Sequence, residues 1–115
     1  MKTLALLILL VTPLVSFSQN FDKNKEKAYF AVNHQGGTAY ITTVKSMDGD
    51  FTKENLATLE GIMSEKDGIF EITRIENAYI TISHLSEIDN DTLKGFLLMV
   101  KSDIEFVEIE EYTIQ

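Results

Sequence analysis

The run from Gly68 to His84, built from the segments IFEITRI, EN and AYITISH, lies between two stretches of helical polarity and leaves few folds open to the chain. Ile69, Glu71, Thr73 and Ile75 alternate with Phe70, Ile72 and Arg74, and Ile80, Ile82 and His84 alternate with Tyr79, Thr81 and Ser83. A period of two is what a pleated strand imposes, because successive side chains leave opposite faces. β-Branched and aromatic side chains fill both arms, which suits a half-buried sheet surface. The Glu76-Asn77 pair supplies the turn, since Asn tolerates positive φ. The two arms therefore read as a β-hairpin.

Each flanking helix carries its own start signal. Thr52 is placed to cap the first, with Phe51 and Leu56 as a hydrophobic staple around the cap. Leu56, Leu59, Ile62 and Met63 share one face, Lys66 falls in the last turn, and Gly68 is suited to the left-handed position after it. Asp89 caps the second helix, stapled by Ile88 and Leu93. Leu93, Phe96, Leu97 and Val100 follow the i, i+3, i+4, i+7 spacing of a helix that buries one stripe. The expected core is Leu56, Leu59, Met63, Ile72, Ile80, Ile82, Phe96, Leu97 and Val100. At 100° per residue Leu98 lies roughly opposite that stripe and Met99 well off it. Two adjacent apolar side chains in that position mark contact with another protein, with a second copy, or with the N-terminal arm of the same chain.

Thr38 to Met47 reads as a strand before the first helix, and Ile104 to Ile114 as a strand after the second. Glu105, Glu108, Glu110 and Glu111 suit the last strand to a sheet edge, where charge discourages pairing with other chains. The order βαββαβ, with two right-handed crossovers, predicts an α+β fold of the ferredoxin-like kind, two helices on one face of an antiparallel sheet. Ala28–Val32 is expected to add an extra N-terminal strand, joined through the Gly36-Gly37 turn.

The first residues read as an address. Lys2, the apolar run Leu4 to Val15, and the small residues Ser16 and Ser18 around Phe17 form the three parts of a signal peptide cleaved before Gln19. The domain division expected is 1–18 signal peptide, 19–27 flexible leader and 28–115 a single domain, exported to a periplasm or secreted. The chain has no cysteine, so thiolate metal sites and thiol redox chemistry are excluded by composition. Its net charge is −8, and loss of Lys2 takes it to −9. That sign opposes nucleic acid and, after signal cleavage, an anionic membrane, both of which are bound through Lys and Arg.

From Val44 to about Ile82 the chain resembles the heavy-metal-associated domain family, small βαββαβ modules that carry soft metal ions. Met47 falls on the Met of that family's Gly-Met-x-Cys-x-x-Cys loop, Gly49 on its first Cys and Thr52 on its second. Leu56 matches the apolar position four residues on, and Gly68-Ile69 resembles the Gly-Val that opens the next strand. The resemblance implies the fold. It does not bring metal transfer with it, because both cysteines are absent and Cu(I) requires soft ligands.

Asp48, Asp50, Thr52 and Glu54 fall at the first, third, fifth and seventh positions of an EF-hand-like loop, which makes Asp48, Asp50 and Glu54 the candidate ligands for a hard cation. Lys53 and Leu59 stand where such a loop needs Gly and a bidentate Glu, so a strand-to-helix turn with acids at a helix N-terminus accounts for the same residues. His34 and His84 are the only histidines, too few for a structural zinc site and better read as hydrogen-bonding side chains. Ser83 and His84 are adjacent on a strand, hence on opposite faces, and form no catalytic pair. No cofactor motif is present and no enzymatic activity is expected. The expected function is that of an exported, non-enzymatic binding module, with hard-cation binding as the alternative.

Overall fold

The computed structural model describes residues 19–114, so the signal-peptide reading of residues 1–18 lies outside the described residues. The described residues form an α+β fold, with three helices and a four-stranded antiparallel sheet among them, compatible with a ferredoxin-like arrangement. The elements are α1 (residues 19–34), β1 (Ala39–Ser46), α2 (Lys53–Met63), β2 (Ile69–Glu76), β3 (Tyr79–Leu85), α3 (Asn90–Leu97) and β4 (Ile104–Tyr112). The sheet order is β2-β3-β1-β4.

Register follows from which side chains need cover. Thr42 pairs with Ile82 and Val44 with Ile80, which puts Val44, Ile80 and Ile82 on one face. These residues form one core with Phe51, Leu59, Met63, Ile69, Ile88, Leu93 and Leu97, while Leu56, Ile62, Ile72, Phe96 and Val100 pack around it partly buried. Of the expected core, Leu59, Met63, Ile80, Ile82 and Leu97 are fully buried. In β4 the pairing slips between Thr43 and Val44, so that Val107 is the extra residue of a bulge on an edge strand.

The N-terminal region departs from expectation. Where the sequence suggested a polar leader and then a strand over Ala28–Val32, residues 19–34 form one helix. Phe21, Asn24, Ala28, Ala31 and Val32 recur at spacings of three and four, a helical stripe that a short window over Ala28–Val32 cannot reveal. Ala28 is fully buried against Ala39, Phe70, Leu85 and Ile114, with Ala31, Val32 and Tyr112 around them. Ala39 and Leu85 are paired and lie an odd number of residues from Val44 and Ile82, so this second core is on the opposite face of the sheet. Helix α1 therefore covers one end of the face that α2 and α3 leave open. Gly36, at φ 74°, turns the chain out of α1. A Cβ on Gly37 would sit 3.2 Å from the Ala31 carbonyl oxygen, which accepts the Gly37 N–H at 2.9 Å.

Local signals set the other helix ends. The Thr52 Oγ1 accepts from Asn55 N at 3.0 Å and the Asn55 Oδ1 accepts from Thr52 N at 3.1 Å, a reciprocal capping box. Asp89 Oδ1 accepts from Thr92 N at 2.8 Å. The end of α2 is earlier than expected, at Met63 with Ser64 as its cap, so Lys66 lies beyond the helix. Gly68 does take positive φ, 98°, but at the entry to β2 and against Ile88 rather than as the cap itself. The β2–β3 turn is Asn77-Ala78, one residue later than expected, and Asn77 does not use positive φ.

Candidate functional site

Asp48, Asp50 and Glu54 sit where β1 gives way to α2, and the structure turns the first of them inward to the protein. Asp48 Oδ2 accepts from Ser102 N at 2.7 Å and from Ser102 Oγ at 2.6 Å, and its Oδ1 accepts from Ser46 Oγ at 2.8 Å. Lys101 Nζ stands 3.7 Å from the same Oδ1, on a side chain only 8% exposed. The Ser102 hydroxyl and amide, then Ser46 and the Lys101 charge, hold the Asp48 carboxyl well below the usual carboxylate range.

Asp50 contributes its backbone carbonyl, which accepts from Lys101 Nζ. The same ammonium lies 5.6 Å from the Phe51 ring centroid. Phe51 N donates to Asn77 O at 2.7 Å, and Arg74 Nη1 donates to Phe51 O at 2.9 Å. Glu54 is exposed in the first turn of α2, where a negative charge suits the helix N-terminus. The loop is thus a junction of β1, α2, the β2–β3 turn and the α3–β4 loop. Among the described residues no group of three or more His, Cys, Asp or Glu could hold a metal ion.

The histidines part company. His84 is buried, with Nε2 2.7 Å from Thr42 Oγ1 and Nδ1 2.8 Å from Leu85 O. A carbonyl only accepts, so Nδ1 carries the proton and Nε2 accepts from the Thr42 hydroxyl. Burial lowers the pKa of the ring, against a smaller upward effect of the Leu85 bond. His34 is exposed on α1 and lies against Phe30, with ring centroids 4.8 Å apart.

Leu98 and Met99 lie at the C-terminal end of α3, in the turn that follows it. The helix stops at Leu97, with Leu98 as its cap in αR conformation, because the chain turns there to carry Lys101 and Ser102 to Asp48. Leu93 and Leu97 are fully buried while Leu98 is 45% and Met99 68% exposed. Of the N-terminal helix, Ala28, Ala31 and Val32 pack in the second core, while Phe21 packs against the core that holds Leu93 and Leu97. Met47 is also 48% exposed, and its N–H donates to Asp103 O at 3.0 Å, so the end of β1 adjoins the loop that Leu98 and Met99 lead into. The sequence missed this third apolar residue because nothing local ties β1 to the α3–β4 loop.

A second unanticipated position is Asn24. Its Nδ2 donates toward Ser64 O at 3.0 Å, Lys66 O at 3.1 Å and Ile69 O at 2.8 Å, tying α1 to the end of α2 and the start of β2. A polar residue inside the apolar stripe of α1 was the available signal.

No protein-family model, no curated protein and no solved structure matches the chain.

Proposed function

We propose that this protein is an exported, non-enzymatic interaction module on a ferredoxin-like scaffold, and that it meets another protein or a second copy of itself through Leu98 and Met99. The observation that carries the reading is the contrast along one short helix and its turn: Leu93 and Leu97 fully buried, Leu98 and Met99 exposed at 45% and 68%. Single exposed apolar residues are ordinary on protein surfaces, whereas a contiguous patch marks a contact. Met47, exposed just past β1, bonds through its N–H to Asp103 in the loop that follows Leu98 and Met99.

The scaffold reading rests on the element order, the antiparallel sheet and the central position of β1 and β3, together with the resemblance to heavy-metal-associated domains between Val44 and Ile82. Without thiolates at Gly49 and Thr52 the metal chemistry of that family has no ligands here. Nothing favours the hard-cation alternative at Asp48, Asp50 and Glu54, since the Asp48 oxygens are taken by Ser46, Ser102 and Lys101. Export rests on Lys2, the Leu4–Val15 run and Ser16-Phe17-Ser18. Mass spectrometry of protein recovered outside the cytoplasm should find Gln19 at its N-terminus, and an intact Met1 there would refute cleavage.

The contact is tested by the double variant Leu98→Lys, Met99→Lys. The expected result is a lower mass in light scattering, or loss of a partner that the parent protein retains, with the melting temperature of the monomer unchanged. Reduced stability at unchanged mass would instead mean that the two side chains support their own chain. No change in mass, partner retention or melting would leave them as plain surface residues. Either of these outcomes overturns the reading.

A further inference from the structure

No further inference is drawn: the strongest candidate, the outer edge of β4 with Val107 and Ile109 exposed among Glu105, Glu108, Glu110 and Glu111, is an apolar strip within an acidic cluster, and nothing in the structure shows what covers it.

Discussion

His84 and Thr42 share a hydrogen bond of 2.7 Å between the two central strands, on the face of the sheet that also carries Val44, Ile80 and Ile82. Both side chains are buried, and no buried side-chain nitrogen or oxygen among the described residues lacks a partner. Nδ1–H donates to Leu85 O, and the Thr42 hydroxyl, which can donate or accept, serves Nε2 in the neutral and in the charged ring, so burial rather than a lost bond opposes the charge. A charged ring in the same place would keep its bond to Leu85 but lose the water that stabilises it in the unfolded chain.

Stability should therefore fall as the pH is lowered through the range where this residue titrates. Burial lowers the His84 pKa in the folded state, so below about pH 6.5 the unfolded chain binds a proton that the folded chain resists. The contribution is fully present above that pH and is lost as the pH falls toward the folded value, with a slope of about 1.4 kcal/mol per pH unit at most. Urea denaturation of the parent and of His84→Gln, run between about pH 5 and about pH 8, should give a shallower pH dependence for the variant. Parallel curves would mean that the ring titrates equally in both states.

Asn24 should be worth more than its place on a polar helix suggests. Asn24→Ala removes the side-chain donor from the carbonyls of Ser64 and Ile69, leaves Lys66 O only its bond from Ile69 N, and is expected to cost about 1–3 kcal/mol in chemical denaturation. Asn24→Asp should cost more, because a carboxylate of nearly the same shape would face three carbonyl oxygens. A smaller cost for Asn24→Asp than for Asn24→Ala would show that shape, not the amide donor, is what the loop requires.

The Asp48 junction makes a prediction in acid. Its carboxyl is held below the usual range by Ser102, Ser46 and Lys101, so the stability it contributes is present above its unfolded pKa and is lost as the pH falls toward the folded value. Asp48→Asn should be less stable than the parent at about pH 6, and the gap should narrow at about pH 3, because only the parent has this carboxylate to protonate. A gap that stays constant, measured by urea denaturation at both pH values, would remove the charge from the account.

Much of the framework was legible before any coordinates. Thr52 and Asp89 cap helices because their oxygens bond amides three residues ahead, at Asn55 and Thr92, and such bonds depend only on nearby sequence. Leu59, Met63 and Leu97 are buried as the helical spacing requires, and Leu98 and Met99 are exposed in the turn where α3 ends. The strand expected at Ala28–Val32 fails on equally physical grounds. Ala-Tyr-Phe-Ala-Val suits a strand by composition, but Phe21, Asn24, Ala28, Ala31 and Val32 together need a helix to reach the two cores and the α2–β2 loop.

The candidate sites divide along the same line. The acids of the β1–α2 loop were visible in the sequence, but their use was not. Ser102 and Lys101 lie more than fifty residues from Asp48, and only the sheet order β2-β3-β1-β4 brings the α3–β4 loop beside the end of β1.

By itself, then, the sequence determined the alternation of strand and helix from β1 onward, the caps at Thr52 and Asp89, and the split between buried Leu97 and exposed Leu98. These are outcomes of backbone geometry and of bonds spanning three or four residues, which any chain segment carries with it. Only the tertiary structure decided that α1 is a helix across the far face, that Asn24 closes the α2–β2 loop and that Asp48 answers Lys101 and Ser102. Each of those depends on an acceptor, a donor or an apolar surface that comes within reach only after distant strands have paired, because a buried polar group takes whichever partner the packed fold places beside it.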